Sequence, residues 1–147
     1  MRHSYLRYLS CAILFCALRL FAQNSPQLQA CNEKASTQMA INACASQEAD
    51  RVDAKLNTIY RNLLAKAAGE QNAVPKIKAA ERVWMAYRDA YIEAMYPATD
   101  KRTEYGSMYA MDVALLRAKL TQEHLADIQE LLKEYSDDSG AGPSGKQ

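Results

Sequence analysis

The sequence predicts an all-α protein: a small antiparallel bundle of three main helices, preceded by a short helix tied down by a disulfide. Three observations carry this. Alternating runs of β-branched residues are nearly absent, so strand signals are missing. Alanine, leucine, lysine and glutamate dominate the chain, all good helix formers. Apolar residues recur by threes and fours in long stretches broken by glycine- and proline-containing loops.

The 147 residues suit one domain. The N-terminus, MRHSYLRYLSCAILFCALRLFAQ, has the layout of a secretory signal. Arg2, His3 and Arg7 form a positive start, Leu9 to Leu18 an apolar run, and Ala22 precedes a polar segment. Arg19 interrupts the run, which falls short of the ~20 apolar residues that a membrane span needs. Phe15 before Cys16 is too bulky for lipoprotein processing, and Cys11 comes too early. Cleavage near Ala22 is therefore expected, giving a signal at 1–22, a flexible segment at 23–30, a helical domain at 31–135 and a disordered tail at 136–147, with export to the periplasm or beyond.

Removal of Arg2, Arg7 and Arg19 takes 18 basic residues to 15 against 17 acidic ones, a net charge of −2. Such a domain lacks the electrostatic footprint of a nucleic-acid binder, and no basic cluster points to an anionic membrane. Cys31 and Cys44 remain, and in an exported chain such a pair reads as a disulfide. On one straight helix they would lie ~20 Å apart, whereas a bridge needs Cα atoms within about 7 Å. The chain must reverse between them, and the reading places this around Thr37 to Asn42.

The first helix is expected over Glu33 to Ile41. The second runs from Ser46, a good cap, to Ala68, with Val52, Leu56, Ile59, Tyr60, Leu63 and Ala67 on one face and Gly69 as its stop. The third starts near Pro75 and ends at Tyr96, before Pro97. The fourth runs from Ser107 to Tyr135; Met108, Met111, Leu115, Ala118, Gln122, Leu125, Ile128 or Gln129, and Leu132 give it a period near 3.5.

The segment AERVWMAYRDAY (80–91) holds the only tryptophan. At 100° per residue, Ile77, Ala80, Trp84, Tyr87, Tyr91 and Met95 share one stripe, which reads as core. Arg88 falls in the stripe and Asp89 outside it, so the two are not expected to pair with each other. A core-facing arginine needs a partner. Either Arg88 reaches Asp53, Asn57 or a helix-end carbonyl while stacking on Trp84, or its head group snorkels out along its stem.

No catalytic residue is assigned. His124 is the only histidine beyond the signal, and the carboxylate pairs Asp89/Glu93 and Glu123/Asp127 read as solvated charge. No phosphate loop, His-x-x-x-His or calcium loop is present, so neither a metal nor another cofactor is expected.

Taken together, C-x12-C (Cys31, Cys44), D-x2-L-N-x2-Y (Asp53, Leu56, Asn57, Tyr60) and A-x3-W-x2-Y-R-D (Ala80, Trp84, Tyr87, Arg88, Asp89) resemble the lysozyme inhibitor LprI-like family. Glu81 stands where the family commonly has glutamine, and His124 near a usual arginine. Ile92 and Leu116 replace a second cysteine pair found in many members. The resemblance implies an exported helical domain that binds a protein partner such as a lysozyme or other muramidase. It implies no enzyme activity, and it leaves the motif residues a structural role. The alternative is a periplasmic binding or envelope-stress module without lysozyme affinity. The expected contacts are the PATDKRTEYG loop (97–106) and the acidic face of the last helix.

Overall fold

The computed structural model describes residues 25–137. The expected signal peptide and nearly all of the expected tail lie outside these residues. Among the described residues five α-helices follow one another: α1 (Pro26–Asn32), α2 (Gln38–Lys66), α3 (Ala73–Met95), α4 (Lys101–Tyr105) and α5 (Tyr109–Asp137). Short 3-10 turns, Ala67–Gly69 and Gly106–Met108, follow α2 and α4. No strand occurs among the described residues.

The N-terminal part departs from the sequence reading. The first helix spans Pro26–Asn32 rather than Glu33 to Ile41, and so takes up part of the stretch read as flexible. Pro26 supplies its pre-set first turn, and the Ser25 hydroxyl accepts the Leu28 N–H at 3.1 Å. The chain reverses over residues 33–37, earlier than expected. Thr37, extended at φ −137°, caps α2 by accepting the Ala40 N–H at 3.2 Å. Past that cap nothing breaks the helix, so Ser46 is interior to α2. The reversal sets the Cys31 and Cys44 Cα atoms 5.7 Å apart, and the disulfide joins them.

Side-chain partners fix the directions of the long helices. Asn42 Nδ2 of α2 donates to the Ser107 carbonyl just ahead of α5, while from α5 Arg117 donates to Asp50 and the Thr121 hydroxyl to Asp53 on α2. Both members advance together, so α2 and α5 run parallel. In contrast α3 runs back between them, with Arg88 beside Asp53 on α2 and Glu81 on His124 of α5.

The α2–α5 pair contains two apolar clusters. One joins Ala45, Ala49 and Val52 to Ala114 and Ala118. The other joins Leu56, Leu63 and Ala67 to Leu125 and Ile128, with Ala73 and Ile77 of α3. Alanine at four of the five buried positions of the first cluster lets the two backbones approach closely. Along α5 the buried positions are Ala114, Ala118, Thr121, Leu125 and Ile128. The period near 3.5 is thus present, but the register selects Thr121, fully buried, where Gln122 was expected.

α3 meets the pair along one edge only. Ile77 and Ile92 are buried and Trp84 is half-buried. Ala80, Tyr87, Tyr91 and Met95 are exposed, contrary to the core stripe read from the sequence. Ile77, Glu81, Trp84, Arg88 and Ile92 define an inward edge turned by roughly 50° from the expected stripe. The closely packed α2–α5 pair offers a seat wide enough for that edge and no more.

Candidate functional site

Between the two apolar clusters lies a layer of polar and aromatic side chains contributed by all three long helices. Asp53 of α2 is its hub. Its Oδ1 accepts from the Thr121 hydroxyl at 3.0 Å and lies 3.7 Å from Arg88 Nη1. Its Oδ2 lies 3.7 Å from Arg117 Nε, and Arg117 also donates to Asp50 at 2.8 Å. Thr121 has no exposed surface, so its hydroxyl requires that carboxylate.

Arg88 adopts the first of the two expected arrangements. It reaches Asp53, and its guanidinium carbon lies 5.1 Å from the Trp84 ring centroid. Asn57 is exposed. The expectation for Asp89 is corrected: Arg88 Nε donates to Asp89 Oδ1 at 3.1 Å. Adjacent helix positions diverge by 100°, but the long arginine stem folds back far enough to span them. The Asp89/Glu93 pair is likewise not simple solvated charge, because Glu93 accepts from Lys101 at 2.8 Å.

Next along α3, the His124 ring stacks on the Trp84 indole with centroids 3.9 Å apart and planes 10° from parallel. His124 Nε2 meets Glu81 Oε2 at 2.8 Å, and Nδ1 lies 4.0 Å from Asp127. The two positions that depart from the usual family pattern therefore pair with each other. Burial first, and then the Glu81 carboxylate, push the Tyr60 hydroxyl above its usual range. The layer thus joins Asp53, Trp84, Arg88 and Asp89 and places Tyr60 near Glu81. Leu56 lies in the apolar cluster below, while Asn57 and Tyr87 face outward. His124, Glu81, Thr121 and Arg117 belong to this layer without having been singled out as site residues. The fully buried Thr121 could have been found from the α5 heptad.

Two further features face solvent. The 97–106 segment, expected to be a loop, folds over Lys101–Tyr105 into α4 and is pinned: Tyr105 Oη accepts the Ala98 N–H, Lys101 binds the Tyr96 carbonyl, and Tyr96, Tyr105 and Tyr109 pack ring against ring. Gly106, at φ +67°, makes the turn into the last helix. Elsewhere, α1, α2 and α5 enclose an open groove of about 700 Å³. Leu28, Val52, Leu115 and Leu116 line its apolar part, and Glu48, Arg51, Lys119 and Glu123 its charged part. Ile92 is buried on α3, whereas Leu116 faces this groove.

Among the described residues no group of three or more histidine, cysteine, aspartate or glutamate side chains could hold a metal ion. No helix there is long and apolar enough to cross a membrane. The polar layer connects the three long helices through side-chain contacts.

These features define a class: a small all-α domain closed by one disulfide near its N-terminus and centred on an Asp–Arg–Trp layer. The chain belongs to the lysozyme inhibitor LprI family, which it matches over residues 31–128. It is also similar to an uncharacterized protein of Rhizobium meliloti (strain 1021), with 34% identity over 122 residues, covering 75% of this chain and 84% of that one. No solved structure matches.

Proposed function

We propose that this chain is exported through cleavage near Ala22 and binds a lysozyme-like muramidase, slowing peptidoglycan hydrolysis. The family match carries the reading: it begins at the first disulfide cysteine and takes in α2, α3 and α5 as far as Ile128. The disulfide is the kind of cross-link that an oxidising compartment maintains.

Lysozymes are basic, and exposed carboxylates give this surface a means of steering them. Asp127 and Glu123 on α5 are 80% and 61% exposed at their side chains. The pinned 97–106 loop, with Glu104 exposed, is the second contact. A loop already held in place loses little conformational freedom on binding. The motif residues Asp53, Leu56, Trp84 and Arg88 act by holding these outer faces in register.

Purified mature protein added to lysozyme in a cell-wall turbidity assay tests the reading. Dose-dependent slowing of clearance is expected at micromolar protein. Unchanged clearance at that concentration overturns it.

A further inference from the structure

Between residues 79 and 95, α3 is divided along its length. At 100° per residue, Glu81, Arg82, Arg88, Asp89 and Glu93 all fall within one half of the circumference. The other half carries no charge at all. It presents Val83, Tyr87, Tyr91 and Met95, which are 70%, 56%, 39% and 52% exposed. Solvent-facing sides of helices are normally charged, and a contiguous uncharged face marks a contact surface. Ala80, Val83, Tyr87, Ala90 and Ala94 are all exposed and follow one another by threes and fours. That is the spacing of a two-helix seam, and its alanines allow close approach of a second backbone.

The flanking charges select the occupant. Arg82 and Glu93 are both exposed, Glu93 while also accepting from Lys101 at 2.8 Å, and they lie within about 20° of each other on one flank of the seam, near its opposite ends. An antiparallel second copy centred on Tyr87 would set Arg82 against the partner's Glu93, and Glu93 against the partner's Arg82. A parallel copy would instead carry the two charged flanks to opposite sides of the seam and pair neither charge. Antiparallel self-pairing also has two-fold symmetry, the commonest closed arrangement of identical chains. We propose that the protein self-associates through this face of α3 as an antiparallel two-fold dimer with Tyr87 at the axis. A single-helix face is small beside the ~1,200 Å² or more buried in stable interfaces, so the dimer dissociates on the order of micromolar concentration or above. The proposal stands apart from the muramidase reading, since neither requires the other.

Sedimentation equilibrium of the disulfide-bonded protein, from about 1 to 300 µM, tests it. A monomer–dimer equilibrium is expected. Tyr87→Arg should leave monomer throughout, with helical circular dichroism unchanged because Tyr87 is exposed. Arg82→Glu and Glu93→Arg should each weaken the dimer by about tenfold, and the double exchange should restore it. A monomeric wild type at the highest concentration overturns the proposal, as does a dimer that survives Tyr87→Arg. Failure of the double exchange to restore association overturns the antiparallel register. Monomeric protein that floats with zwitterionic lipid vesicles would assign the face to a membrane surface, and also overturns it.

Discussion

The imidazole of His124 lies flat on the indole of Trp84, 3.9 Å away, while its Nε2 meets Glu81. One side chain of α5 thereby holds α3 through both a ring face and a ring edge. Since Trp84 is the only tryptophan, its fluorescence reports this contact directly. His124→Ala should raise and shift the Trp84 emission as water replaces the ring. It should also cost on the order of 1–2 kcal/mol of stability. Unchanged emission would show that the stack does not persist in solution.

Asp53 joins α2 to α3 and α5 through Thr121, Arg88 and Arg117. Asp53→Ala strands a fully buried hydroxyl and leaves two arginines facing each other. A loss of about 2 kcal/mol is expected, discounted because the charged members retain some exposure. Thr121→Val should cost about 1 kcal/mol, and the double variant less than the sum of the two, because both remove the same bond. Urea unfolding measures all three; strict additivity would count against the Asp53–Thr121 bond.

Leu63 and Leu125 have no exposed surface and lie in the same cluster. Replacing either with alanine should cost about 2–5 kcal/mol, the usual range for a buried leucine. Asn57, a motif residue on the outer face of α2, should tolerate alanine within about 0.5 kcal/mol. If Asn57→Ala nevertheless weakens lysozyme inhibition, its place in the motif reflects contact with a partner.

Closing the loop between Cys31 and Cys44, which are 13 residues apart, should stabilise the protein by about 3 kcal/mol. Reduction should lower the urea midpoint accordingly, with α1 losing its amide protection before the α2–α5 pair. Two reactive thiols in the native protein would contradict the bridge.

Glu48 connects α1 to α2 by accepting from the Ser25 hydroxyl at 2.7 Å while paired with Arg51 at 2.6 Å. Burial works against its charge, but the Arg51 and Ser25 hydrogen bonds outweigh it and hold the carboxyl below its usual range. Its folded-state value lies below the unfolded one. The contribution is therefore complete above the ordinary carboxylate range and is lost as pH falls through the depressed value. Glu48→Gln should flatten the acid limb of the stability–pH curve and leave the neutral region less stable than wild type. An unaltered acid limb would show that Glu48 does not drive it.

Helical class, the three long elements and the bridge follow from local properties. Propensity, a 3.6-residue period, a glycine stop at Gly69 and a proline stop at Pro97 act within one turn of chain, so they can be read without the fold. The Arg88–Asp53 contact was legible as one of the open arrangements, because an arginine among apolar residues either finds a counter-charge or snorkels to solvent. The start of α2 was not legible, because Ser46 and Thr37 are both competent caps.

The sequence by itself determined that α3 has an apolar stripe, but not which part of that stripe would be buried. The fold decided this, since α2 and α5 pack in parallel through Ala45, Ala49, Ala114 and Ala118 and leave a narrow seat for a third helix. Ile77, Trp84, Arg88 and Ile92 occupy the seat, while Tyr87 and Tyr91 stay outside it. Burial depends on the width of the neighbouring groove, a property of two distant segments that no periodicity within α3 contains. The same geometry turned Thr121 inward to Asp53 and paired Glu81 with His124, contacts between residues 68 and 43 positions apart.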